Sequence, residues 1–138
     1  MNVYLDSSVV LRRLRREAPS LPGWAQWEHA YASVLLGVEI WRTLDRIRLS
    51  GNVVDAETAE LMVRARAILA AVDLVPLSDA ILERASQPFV TSLGTLDALH
   101  LSTALRLTQS GAIELTFLTH DSELAIAARS MNFKVEGA

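Results

Sequence analysis

The stretch Leu115-Thr-Phe-Leu-Thr-His-Asp-Ser-Glu-Leu124 decides the fold. Leu115–Thr119 is the clearest strand in the chain, and Asp121 after it is helix-cap chemistry at the head of a helix running to about Ser130. The chain opens the same way. Asn2-Val-Tyr-Leu5 is a short, apolar, β-prone run, and Asp6-Ser7-Ser8 is turn and cap chemistry ahead of a helical pattern over Val9–Arg16, with Val10, Leu11 and Leu14 on one side. Asp6 and Asp121 thus hold matching places, each closing a strand and opening a helix. Open α/β sheets bind ligands outside the carboxyl ends of their strands, so the two acids meet at one rim if their strands are neighbours.

The intervening chain repeats the alternation. Pro19 and Pro22-Gly23 break the first helix, Trp24–His29 reads as a further helical turn or two, and Tyr31–Leu35 as a second strand. Leu36, Ile40, Leu44 and Ile47 fall at helical spacing until Ser50-Gly51 stops them, and Asp55 begins an Ala-rich helix to about Val72. Leu74–Leu77 is extended, Ser78 starts a helix that Pro88 ends, and a helix from Leu96 to Gln109 closes at Ser110-Gly111. Phe133–Val135 reads as a terminal strand. Short strands separated by helices predict an α/β/α sandwich with a mainly parallel central sheet. No repeat, low-complexity tract or linker interrupts residues 1–138, so one domain is expected.

Composition narrows the chemistry. Of 138 residues, 51% are hydrophobic and 21% charged, which excludes disorder and fits a packed core. The absence of cysteine removes disulfides, thiolate zinc sites and cysteine nucleophiles, and suits a cytoplasmic location. The longest stretch free of Asp, Glu, Lys and Arg is Ala85–Leu96, too short to span a bilayer, and Met1–Asp6 has no basic region of a signal peptide. The net charge of −3 provides no overall field for nucleic acid, but it is unevenly spread: residues 1–48 carry +2 and residues 49–138 carry −5. Twelve of the thirteen basic residues are Arg, and Lys134 is the single lysine.

Two further acids join the first pair. Glu39 lies about one turn into its helix beside Ile40, and Asp97 lies in the first turn of another. All four are flanked by apolar residues, where a lone carboxylate is costly unless paired or metal-bound. Taken singly, each has an ordinary explanation. Asp6 and Asp121 suit helix caps, Asp97 suits a helix dipole, and Glu39 can pair with Arg42 at i+3. Convergence would differ, because four carboxylates repel one another unless a cation joins them, and oxygen-only donors suit Mg²⁺ or Mn²⁺.

Four segments now stand together: Tyr4-Leu-Asp6-Ser-Ser8, Val38-Glu-Ile-Trp-Arg-Thr-Leu44, Leu96-Asp-Ala-Leu-His-Leu-Ser-Thr-Ala-Leu105 and Leu118-Thr-His-Asp-Ser-Glu-Leu124. In this order they resemble the PIN-domain ribonucleases, and more narrowly the VapC toxins of bacterial and archaeal toxin–antitoxin pairs, from Asn2 to about Val135. The segment around Asp97 is the most specific. The resemblance maps the family's acidic quartet onto Asp6, Glu39, Asp97 and Asp121, with His120 where many relatives carry Tyr. It implies Mg²⁺-dependent hydrolysis of RNA, with Mn²⁺ as a substitute, leaving a 5′-phosphate and a 3′-hydroxyl. Asp6, Asp97 and Asp121 would hold the metal, and Glu39 would complete its shell or orient water. It also implies a VapB-type antitoxin partner, a homodimer, and contact with DNA only through the antitoxin.

Other residues carry weaker signals. The hydroxyls of Ser7, Ser8 and Thr119 adjoin the acids, though cap or turn roles explain Ser7 and Ser8 as well. Arg12-Arg13-Leu14-Arg15-Arg16 reads first as a solvated helix face and second as an RNA contact. Arg42 is one turn from Glu39, and His100, three residues after Asp97, reads as a packed or hydrogen-bonded histidine rather than a ligand. Trp41 suits the core, whereas Trp24 and Trp27, near the Pro-Gly break, suit a partner surface or RNA stacking. Two rival functions remain. Phosphotransfer to a strand-end Asp needs a second acid or a placed lysine that Asp6-Ser7-Ser8 and Lys134 do not supply. A non-catalytic PIN-like module that binds RNA or protein is opposed by the presence of all four acids.

Overall fold

The computed structural model describes residues 1–18, 21–109, 111 and 113–138. The elements run β1 (Asn2–Leu5), α1 (Ser7–Leu14), β2 (His29–Ser33), α2 (Leu35–Leu49), α3 (Asp55–Ala70), β3 (Asp73–Val75), α4 (Asp79–Ala85), α5 (Thr95–Gln109), β4 (Leu115–Leu118), α6 (Ser122–Ser130) and β5 (Lys134–Glu136). The strands form one sheet in the order β3-β2-β1-β4-β5, and all four pairings are parallel.

Strand alternation sorts the core into two layers. Val3 and Leu5 of β1 face one side, where they pack with Val9, Val10 and Leu14 of α1, Leu36 and Ile40 of α2, and Ala65 of α3. Tyr4 faces the other side and packs with Phe117, Leu101 and Ala104 of α5, and Leu124 and Ala128 of α6. Helices on both faces make the expected α/β/α sandwich. They also explain why β4 reads as a continuous run, buried at all four positions, rather than an alternating one. Val3, Tyr4 and Leu5, fully buried on the two faces of β1, each contribute about 1.5–3 kcal/mol of apolar burial.

β1 is the strand from which the chain winds outward in both directions, through β2 to β3 on one side and through β4 to β5 on the other. The crevice between β1 and β4 is therefore the switch point of the sheet. Register places Leu5 opposite Leu118, and the Asp6 N–H donates to the Leu118 carbonyl at 3.0 Å. The two strands preceding Asp6 and Asp121 are thus neighbours, ending at one level.

Three local expectations are corrected. Trp24–His29 is not helical: residues 22–25 form a turn in which Gly23 and Ala25 take positive φ, and β2 already begins at His29, paired with Asn2. The second strand ends at Ser33, since Val34 donates to the Val75 carbonyl and Leu35 starts α2. α1 begins at Ser7 and ends at Leu14, and Arg16 takes a φ of 54° beyond it. Pro19 and Ser110, expected to end helices, lie outside the described residues. The eight residues of α1 span about 12 Å, and Arg12–Arg16 lie toward and beyond the end of it away from Asp6. Among the described residues, no helix is long and apolar enough to cross a membrane.

Candidate active site

Asp6 follows β1 directly and is only 2% exposed. It occupies the N-cap position of α1 but makes no side-chain cap bond. Its Oδ2 instead accepts from the hydroxyls of Ser8 at 2.6 Å and Thr119 at 2.8 Å. These hydroxyls are themselves anchored: Ser8 Oγ accepts from the His120 N–H at 2.9 Å, and Thr119 Oγ1 from the Asp121 N–H at 3.0 Å. Oδ1 of Asp6 is buried and has no hydrogen-bond partner among the described residues. An ionised carboxylate oxygen left bare in the interior is costly, so this atom points to a ligand.

Asp121 fulfils the capping expectation, its Oδ1 accepting from the Leu124 N–H at 2.9 Å. His120 between it and Thr119 donates from Nδ1 to the Gly137 carbonyl at 2.8 Å, which ties the end of the described chain to the rim. Asp97 is the third residue of α5 and is partly buried. Burial first, and then the negative charges of Asp6, Asp121 and Glu39 against the opposing charge of His100, push its pKa up to about 6. Asp97 therefore sits within the field of the other three acids. Among the described residues no group of three or more His, Cys, Asp or Glu side chains is already gathered as a metal cage.

Glu39 points inward from α2 and does not pair with Arg42. Its Oε2 accepts from the Ser7 hydroxyl at 2.8 Å, and its Oε1 lies 2.5 Å from Nε2 of His100. Arg42 turns outward, 63% exposed, to Asp45 at 3.2 Å. Arg48 approaches Asp45 from the other side at 2.8 Å, and the two guanidinium groups hold its carboxyl below the ordinary range, Arg48 foremost. The pairing of Glu39 with Arg42 at i+3 is thus not made.

His100 is fully buried and bonded at both ring nitrogens, as the packed-histidine reading anticipates. Burial disfavours its charged form, but its hydrogen bond to Glu39 and the charges of Asp6, Glu39 and Asp97 outweigh it, so its pKa lies above the ordinary value. Sequence reasoning missed Tyr4 and Ser33 as its supports. The Tyr4 hydroxyl accepts from the Ser33 N–H at 3.0 Å and lies 3.0 Å from Nδ1 of His100. Burial holds this phenol far above its ordinary range, so it stays protonated. The available signal was Tyr4 itself, the one polar-tipped side chain in an otherwise aliphatic strand core.

Trp24 and Trp27 meet edge to face at 5.1 Å between centroids, with Arg13 over the Trp24 ring. Both are partly exposed and border an apolar groove of about 220 Å³ against Ile68 and Val72 of the α3 end. Trp41 packs against the core from a partly exposed position under Arg66.

The fold is a parallel five-stranded α/β/α sandwich with carboxylates at the ends of β1 and β4, and the family model of the PIN domain matches residues 3–130. Ribonuclease VapC47 of Mycobacterium tuberculosis (strain CDC 1551 / Oshkosh) is 30% identical over 139 residues, which take in 95% of this chain and 93% of that protein. The chain belongs to the PIN-domain family and is of the VapC type.

Proposed function

We propose that this protein is a divalent-metal-dependent endoribonuclease, the toxin of a toxin–antitoxin pair, and that Asp6, Glu39, Asp97 and Asp121 form its catalytic and metal-holding set. The observation that carries the reading is the buried, unpartnered Oδ1 of Asp6 in a rim where burial and three neighbouring acids push Asp97 up to about 6. Such a pocket fits a hard cation, because its donors are all oxygens and its excess negative charge is relieved by one. Mg²⁺ is the natural occupant and Mn²⁺ a substitute. Asp6, Asp97 and Asp121 would hold the ion, with Glu39 completing the shell or orienting water. When bound, the ion supplies Lewis acidity that activates water and stabilises charge on the departing oxygen.

The protein's own contribution is orientation. Ser8 and Thr119 occupy Oδ2 of Asp6 and leave Oδ1 for the ligand. The Leu124 N–H fixes one oxygen of Asp121, and Ser7 and His100 fix one oxygen each of Glu39. The likeness in sequence to a protein named a ribonuclease of the VapC type supports RNA as the substrate. The half-exposed Trp24–Trp27 groove supports a VapB-type antitoxin segment as partner, since aromatic anchors in a groove suit a folding amphipathic tail. A homodimer, a cytoplasmic location and contact with DNA only through the antitoxin complete the proposal.

The test is direct. Induced expression is expected to arrest growth, co-expression of the product of the neighbouring upstream gene to relieve it, and Asp97→Asn to be harmless. Full toxicity of a folded Asp97→Asn protein would overturn the site, and a harmless wild type would favour a module that binds without cutting.

A further inference from the structure

The hydrogen-bonded chain behind Glu39 is longer than a buried histidine needs for its own satisfaction. It starts at the Ser33 N–H at the end of β2, passes through the Tyr4 hydroxyl of β1, crosses the His100 ring of α5 and ends on Oε1 of Glu39 in α2. The Tyr4 oxygen accepts from Ser33, and with Thr103 also beside the hydroxyl, its proton points at Nδ1 of His100 when the ring is neutral. Nε2 of the ring then carries a proton and donates to Glu39. The imidazolium form donates from Nε2 as well, so the bond to Glu39 is present whichever form the ring takes.

We propose that His100 is a positioning residue for the reaction, holding the Glu39 carboxylate at the rim by its Nε2–H with Tyr4 and Ser33 bracing the ring from the sheet. The role rests on the functional reading above, in which Glu39 belongs to the reactive set. Three features argue for it. Glu39 is a flexible side chain that would lose its orientation without restraint, and Ser7 and His100 take one oxygen each from opposite sides. The link joins α2 in one helical layer to α5 in the other. Finally, an imidazole is the one uncharged side chain whose two nitrogens, on opposite edges of a rigid ring, can span from a phenol to a carboxylate. Asp6 is tied to α1 by Ser8 and to the end of β4 by Thr119, and Glu39 is tied to β1 through Tyr4 and His100. Supports of this kind commonly matter by about 10–100-fold in activity or metal affinity.

The test uses two substitutions that split the ring's functions. In His100→Gln the amide nitrogen reaches the place of Nε2 and still donates to Glu39. In His100→Asn the amide replaces only the Nδ1 edge, facing Tyr4, and falls short of Glu39. Cleavage of a fluorogenic RNA oligonucleotide is measured with Mg²⁺ or Mn²⁺ for wild type, both variants, Glu39→Gln and the His100→Asn/Glu39→Gln double variant, with folding checked by circular dichroism. The expected result is a fall of about 30-fold in kcat for His100→Asn with KM unchanged, and rescue to within about fivefold of wild type by His100→Gln. In the Glu39→Gln background His100→Asn is expected to cost little more, because the carboxylate that His100 orients is already gone. Equal activity of the Asn and Gln variants, a loss confined to KM, or multiplicative losses in the double variant would overturn the role. If His100→Asn does not fold, His100→Gln decides the matter: a loss of more than about tenfold in that variant while folded overturns the role. A wild type silent with both metals overturns the functional reading and this role together, whereas an active wild type lacking the Asn–Gln difference overturns this role alone.

Discussion

Asp97→Asn is expected to make the metal-free protein more stable at neutral pH while abolishing cleavage. The carboxyl of Asp97 titrates near 6 in the folded chain against an ordinary 3.8, first because it is partly buried and then because Asp6 and Asp121 stand near it. Two pH units of separation correspond to at most about 3 kcal/mol, and because part of the group remains in solvent, screening roughly halves this to about 1.5 kcal/mol. The sign follows from proton uptake. Between pH 4 and 6 the folded chain holds a proton on Asp97 that the unfolded chain has lost, so stability falls as pH rises through that window. Asparagine has no such proton. The stability of the variant relative to wild type is therefore expected to be level below about pH 4, to diverge up to about pH 6, and to stay apart above it. At the plateau the variant is expected to melt about 3–6 °C higher. Thermal and urea melts of both proteins in EDTA from pH 3.5 to 8 measure this. A gap that does not change with pH, or a variant less stable than wild type at pH 7.5, would refute the reasoning. Added Mg²⁺ or Mn²⁺ is expected to close the gap, since binding at 100 times Kd stabilises wild type by about 2.7 kcal/mol.

Other substitutions probe the supports of the rim. Thr119→Val removes a donor to Asp6 and an acceptor for the Asp121 N–H, and is expected to cost about 1–3 kcal/mol in urea melts while reducing cleavage. Gly137→Ala places a Cβ 2.5 Å from the Thr119 carbonyl at a φ of 103°, and is expected to cost about 2 kcal/mol and to lower activity through displacement of Thr119. Arg42→Ala breaks an exposed pair with Asp45 and is expected to leave both the melting temperature and RNA cleavage unchanged, because Arg42 faces away from Glu39.

What could be read in the chain was local. The strand-then-acid pattern at Leu5-Asp6 and Thr119-His120-Asp121 placed both acids at strand ends, and parallel β1–β4 pairing then set those ends side by side. Helix periods and caps located α2 to α6 to within a few residues, and Asp121 does cap its helix. The start of β2 escapes local reading because it is set by pairing of His29 with Asn2, a contact no local pattern encodes, whereas Trp24 and Trp27 lie among turn and bend residues. Asp6 illustrates the limit of capping rules. The same residue type in the same position as Asp121 leaves its helix uncapped, because Ser8 and Thr119 offer better donors, the latter 113 residues away. The Tyr4–His100 and Glu39–His100 bonds span 96 and 61 residues, and only the packing of α5 across the sheet brings them about.

The central claim is that the acidic rim around Asp6 holds a divalent cation and cuts RNA with it. Cleavage of RNA by the purified protein, followed side by side for wild type and Asp6→Asn with Mg²⁺, with Mn²⁺ and with EDTA, tests it most directly. Products are expected only from wild type with metal, with the folded Asp6→Asn protein silent throughout. Cleavage by wild type in EDTA, or equal cleavage by Asp6→Asn, would contradict it.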